Sequence, residues 1–187
     1  MRYLALGDSY TIGTGASSEE HAWPSIIASR LGAELTNPAV NGYTTLDLIR
    51  HELPLFGRLQ PDLVTVLIGV NDLVQGRPPD AYRGSLRTIY DAIKASRVVA
   101  VSIPTWSYVP AAAEFGGAER VDRLTQVFNE VAREESQARG FRWVDLGPVS
   151  ISGIGTKAWI ASDQLHPGDA QYAAWAEVIW PVIKEIV

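Results

Sequence analysis

The chain has no cysteine. Disulfides, thiolate zinc sites and a cysteine nucleophile are excluded together. Histidine is scarce, with three residues in 187, and neither a bound metal nor a cofactor is expected. A long apolar run is also missing. Nothing approaches the roughly 20 residues that span a bilayer. At the start, Met1-Arg2 precedes only Tyr3-Leu4-Ala5-Leu6 before Gly7-Asp8 interrupts, short of the roughly 7–15 apolar residues of a signal peptide. Membrane insertion is not expected, and a cytoplasmic location is. Nor is there a basic excess: 16 Lys plus Arg against 21 Asp plus Glu give a net charge of −5. A chain of that balance is a poor binder of nucleic acid or anionic membranes.

What is present is ordinary globular material. Hydrophobic residues make up 47% and charged residues 20%, both near globular averages. A fold of this length buries roughly 70% of its unfolded surface, so it needs no staple. One domain over residues 1–187 is expected.

Short apolar runs alternate with helical periods. Tyr3–Gly7, Leu63–Ile68 and Val98–Ile103 read as strands, with weaker ones at Glu34–Thr36 and Arg142–Leu146. The long runs are continuous, as in parallel strands buried on both faces. Helical stripes fall at Trp23, Ile27 and Leu31, and at Leu46, Ile49, Leu53 and Phe56, with Pro54 expected to end or bend that helix. Others fall at Tyr82, Leu86, Ile89 and Ile93, at Val121, Leu124, Phe128 and Val131, and at Tyr172, Trp175, Ile179 and Ile183. This alternation predicts an α/β fold: a three-layer α/β/α sandwich around a mostly parallel sheet of about five strands. Ligands of such sheets bind outside the carboxyl ends of the strands.

The polar residues at those ends form a chemical set. Gly7-Asp8-Ser9-Tyr10 follows the first strand, Gly69-Val70-Asn71-Asp72 the third, and Asp163-Gln164-Leu165-His166-Pro167 precedes the last helix. Pro167 keeps His166 out of helical geometry, and Asp163 can reach back to the imidazole. A serine needs a base with a pKa near 7, and histidine is that base. A carboxylate must hold the histidine in one tautomer. Ser9, His166 and Asp163 are therefore the candidate nucleophile, base and acid. The Ser9 N–H, the Gly42 N–H and the Asn71 amide are candidate oxyanion donors. Alone, Ser9 reads as a helix N-cap; in company with Asp163 and His166 it reads as catalytic. Asp8 and Asp72 read as turn-closing residues, and His21 and His51 as helix-surface residues.

On these residues the chain resembles the GDSL or SGNH hydrolases. Gly7-Asp8-Ser9 resembles the family's first block, Gly42 the glycine of its second, Gly69-Val70-Asn71-Asp72 its GxND and Asp163–Pro167 its DxxHP. Tyr10 stands where the family usually has leucine, and Gln171 where many members have glycine. The resemblance implies a flavodoxin-like sandwich and a metal-independent serine hydrolase acting on small-molecule carboxylic esters, favouring short to medium acyl chains. Thioesters, lysophospholipids and acetylated sugars are alternative substrates for the same chemistry. A metal-dependent phosphoesterase is a remote rival, since its two-metal sites usually collect several histidines; a non-catalytic binding module is another. Aromatic residues after the fourth strand, Trp106 and Tyr108, are candidate pocket residues along with Tyr10, Trp159 and Ile160.

Overall fold

A computed structural model of the chain describes residues 1–94 and 96–187. Five strands, β1 (Arg2–Gly7), β2 (Glu34–Thr36), β3 (Leu63–Leu67), β4 (Arg97–Val101) and β5 (Arg142–Val144), form one parallel sheet in the order β2-β1-β3-β4-β5. The apolar runs become the central strands because both their faces are covered. Every residue of β3 is buried, as is every residue of β1 after Arg2. Where a polar group enters this interior it finds a partner: the Tyr3 hydroxyl and Thr65 Oγ1 lie 2.9 Å apart.

Helices α2 (Trp23–Leu31), α8 (Gly147–Ser152) and α9 (Asp169–Lys184) pack together on one face; α4 (Leu53–Leu59), α6 (Pro79–Ile93) and α7 (Ala118–Gln137) cover the other. Their predicted stripes are the buried ones. Tyr82, Leu86, Ile89 and Ile93 are buried in α6, and Tyr172, Trp175, Ile179 and Ile183 in α9. Among the described residues no helix is long and apolar enough to cross a membrane.

One stripe fails. The expected helix through Leu46 and Phe56 is broken into α3 (Thr45–Asp47), a π-helical turn (Leu48–Glu52) and α4. The wide turn slips the helical phase, so Leu48 and Glu52 are buried while Leu46 is 51% exposed. Pro54 sits in the first turn of α4, directly after the π-helical turn, and the chain stays helical through it to Leu59 rather than ending there. The chain leaves β1 towards β2 on one side and returns as β3 on the other. That reversal opens a crevice at the carboxyl ends of β1 and β3.

Candidate active site

The turn after β1 presents Ser9. Asp8 takes the N-cap position of α1 (Ser9–Ile12), accepting from the Tyr10 N–H at 3.1 Å. Capping is thus done by the aspartate, and the Ser9 hydroxyl makes no hydrogen bond among the described residues. Asp8 itself is fully buried. Burial pushes its carboxyl up to about 7; the Tyr10 N–H opposes the shift and the charge of Asp72 adds to it. Under the same turn Glu52 accepts from the Gly7 N–H at 2.9 Å. Its other oxygen has no partner among the described residues. Burial raises Glu52 to about 8, against the pull of the Gly7 N–H and with the help of Asp8. Sequence reading missed Glu52 because the π-helical turn that aims it inward leaves no periodic signal.

The base comes from the loop before α9. Asp163 Oδ2 lies 2.6 Å from His166 Nδ1, while Oδ1 accepts from the backbone N–H groups of His166 (2.9 Å) and Leu165 (3.0 Å). Partial burial raises this carboxyl, but those three hydrogen bonds and the histidine outweigh burial and hold it below the usual carboxylate range. The loop is pinned from outside. Ala161 N–H donates to the His166 carbonyl at 2.8 Å, and Ile160 pairs with Pro167 in an antiparallel bridge. Gly15, at φ +94°, packs so closely that a Cβ there would lie 2.5 Å from the Pro167 carbonyl oxygen. Tyr10 meets the His166 ring edge-on, with 6.1 Å between centroids.

Asn71 lies in α5 (Val70–Val74), directly after β3. Its amide donates to the Tyr43 carbonyl at 2.9 Å and reaches Asp8 at 3.5 Å. Asp72 does more than close a local turn. It accepts from Thr45 N (2.8 Å), Thr45 Oγ1 (2.6 Å) and Arg77 Nη1 (2.7 Å), clamping α3 to α5. Gly42 stands in an exposed turn at φ +82°, with open space where a Cβ would be. It precedes the Tyr43 that holds Asn71, but it does not line the cavity described next.

Ser9, Asn71 and His166 line one cavity of about 60 Å³, walled by Tyr10, Val70, Val74, Trp106, Phe115 and Leu165. Tyr10 and Trp106, offered by the sequence as candidate pocket residues, are among these walls. Tyr108 and Ile160 line a narrower space of about 10 Å³ that shares Tyr10, Trp106, Leu165 and His166 with this cavity. Trp159 is elsewhere and is not a pocket residue. Its indole is buried, donates to the Ser150 carbonyl at 2.9 Å and covers Gly153. Gln171, the departure beside the last block, donates to the Tyr108 hydroxyl (2.8 Å) and to the Trp159 carbonyl (3.0 Å). It thereby ties α9 to the aromatic loop. Phe115 belongs to the same aromatic loop as Trp106, whereas Val70, Val74 and Leu165 were not foreseen as walls.

A second serine–histidine–carboxylate set lies outside this cavity. Ser17 Oγ contacts both His21 Nδ1 and Asp169 Oδ2 at 2.7 Å, and the Ser17 N–H donates to Asp169 Oδ1 at 2.8 Å. His21 is a surface residue, as expected, but a partnered one. His51, also exposed, lies against Tyr43 with 5.7 Å between ring centroids.

Comparison with known proteins follows this geometry. The sequence matches the GDSL-like Lipase/Acylhydrolase family profile over residues 5–174. The chain belongs to that family. It is similar to an arylesterase of Vibrio mimicus, 29% identical with 89% of this chain and 80% of that protein covered. It is also similar to Esterase TesA of Pseudomonas aeruginosa, at 22% identity over 98% of this chain and 88% of that one. A crystal structure of TesA superposes over the full length of both chains with a TM-score of 0.80 at 21% identity. As a GDSL-family member the protein is a carboxylic ester hydrolase.

Proposed function

We propose that Ser9, His166 and Asp163 form the catalytic triad of this hydrolase and that its substrates carry short acyl groups. The observation that carries this reading is one cavity lined by both Ser9, whose hydroxyl is otherwise unengaged, and His166, whose Nδ1 is held by Asp163 at 2.6 Å. With Nδ1 held, Nε2 is left to act as the base. Ser9 Oγ attacks the ester carbonyl while Nε2 takes its proton, then returns it to the leaving alcohol. Water repeats the sequence on the acyl-enzyme. The oxyanion is met by the Ser9 N–H and by the Asn71 amide hydrogen whose resting partner is Asp8, at 3.5 Å. Gly42 N–H is the third proposed donor, delivered when substrate draws its turn inward.

Cavity size supports the acyl preference. A volume of about 60 Å³ is room for about two water molecules at about 30 Å³ each, which favours small acyl groups over long ones. Hydrolysis of p-nitrophenyl esters from acetate to palmitate, by wild type and Ser9→Ala in parallel, tests both claims. Wild type should peak at acetate to butyrate, and Ser9→Ala should lose roughly 10⁴-fold or more in kcat with unchanged thermal unfolding. Full activity in Ser9→Ala removes the triad assignment; a palmitate optimum removes the short-acyl one.

A further inference from the structure

A cavity of about 340 Å³, much larger than the one holding Ser9, opens at the same edge of the sheet between α7 and the ends of β4 and β5. In the strand order β5 stands three strands from β1, a lateral offset of about 14 Å between those strands at about 4.8 Å per strand. Thr105 lines both this cavity and the narrow space beside His166. One wall is the polar stripe of α7 that includes Asp122, Gln126, Glu130 and Arg133; Trp143 and Asp145 lie across from it.

Trp143 is what distinguishes this cavity from a solvated helix face. The other five tryptophans all have partners. Trp23, Trp106, Trp159 and Trp175 donate their indole N–H groups to Tyr10, Thr125 and the backbone and side chain of Ser150, and Trp180 lies under Arg30 at 5.9 Å. Half-buried Trp143 has no such hydrogen bond, and no ring-stacking or cation–π contact, among the described residues. Around it, acceptors are left open. Asp145 receives Ser102 Oγ (3.3 Å) and the Gly147 N–H (2.8 Å) on Oδ1 alone. Asp122 receives the Gln126 amide on Oδ2 alone. Arg133 is engaged by Glu130 and Gln137. The site thus offers carboxylate oxygens, one indole N–H and an apolar ring face, with three carboxylates against one guanidinium. That balance repels phosphates and carboxylates. A neutral sugar is its complement: hydroxyl donors for the carboxylates, oxygens for the indole N–H and a carbon-bound hydrogen face for the ring.

We propose that this cavity is a saccharide-binding subsite with Trp143 as its platform, holding the sugar end of an acylated oligosaccharide whose ester reaches Ser9. The connection to Ser9 rests on the triad reading above; the sugar site itself does not. The test titrates ¹⁵N-labelled protein with xylobiose, with N,N′-diacetylchitobiose and with choline, following the Trp143 indole resonance. One of the two sugars should shift it with a dissociation constant of roughly 1 mM, Trp143→Ala should weaken that binding about tenfold or more, and choline should leave the resonance in place. A second arm compares acetylated xylo-oligosaccharide with p-nitrophenyl acetate: Trp143→Ala should lower kcat/KM for the sugar ester roughly tenfold relative to the small ester. Trp143→Phe, which keeps a ring against the core, should fall between. No shift with either sugar, or a shift with choline alone, overturns the subsite. Equal losses on both esters overturn its link to Ser9. Sugar binding by a protein inert on every ester would leave the subsite standing and bring down the triad reading instead.

Discussion

Two sets of serine, histidine and aspartate occur in this molecule, and they differ in which atoms meet. In the set at residues 9, 163 and 166, the carboxylate takes Nδ1 and leaves the far ring nitrogen to a cavity that also holds the serine. In the set at residues 17, 21 and 169, serine and aspartate share the same Nδ1 edge, the aspartate at 3.3 Å and the serine at 2.7 Å. The serine there already hydrogen-bonds the carboxylate directly. No relay of a proton through the ring is possible in that arrangement. It fastens the segment after α1 to the start of α9. On the proposed triad, what sets the first group apart is the tautomer and the cavity, not the residue types.

The contrast can be broken most severely at Asp163. Asp163→Asn should lower kcat by roughly 10³–10⁴ by presenting the wrong tautomer to Ser9. A loss under tenfold would place His166 under some other control. Next in size, Asn71→Ala should reduce kcat by about 10²–10³ with little change in KM, the pattern of a donor used in the transition state. If KM rises and kcat holds, Asn71 merely packs the Tyr43 turn. The smallest effect belongs to the second set. Asp169→Asn should leave kcat within about twofold and lower stability by roughly 0.5–1.5 kcal/mol, read from thermal unfolding; a loss of activity as large as that of Asp163→Asn would erase the distinction.

Within the candidate active site itself, carboxyl groups titrate in opposite senses. Asp163 is held ionised, so its contribution is present above the ordinary value of 3.8 and is lost as pH falls through its lower folded value. Glu52 and Asp8 are raised: the folded protein binds more protons than the unfolded chain between the ordinary values near 4 and about 7 to 8. Their contribution is intact at low pH and declines as pH rises through that window. Glu52→Gln should flatten this decline in denaturant midpoint. An unchanged pH slope would show that Glu52 is ionised in the fold.

The sequence made legible those features that are local. A strand buried on both faces is a continuous apolar run, and Leu63–Leu67 and Arg97–Val101 stand within two residues of where that rule put them. Asp163 and His166 lie three residues apart with Pro167 beside them, so their hydrogen bond is a property of one loop. The cavity walls were harder. Phe115, Val74 and Leu165 come from separate connections, and only the closed fold brings them together. Trp159 shows the reverse error: four residues from Asp163 in the chain, it turns into the core because Ser150 offers its indole a partner. The slip at Leu48–Glu52 left no trace, since an extra backbone atom ring in a helix does not alter composition.

The candidate nucleophile and its base are separated by more than 150 residues of chain, one beginning the sheet and the other preceding the final helix. Local contacts shape each of them, but the pair is brought together only by contacts distant in sequence. β1 must first be enclosed by β2 and β3, and α9 must then settle against α2 before the His166 loop meets Gly15. Such long-range closures are the slow steps of folding. Hydrolysis should consequently be the last property to return on refolding, after helical signal and after tryptophan burial. An assay of turnover in time reads the completion of the whole chain rather than of any part.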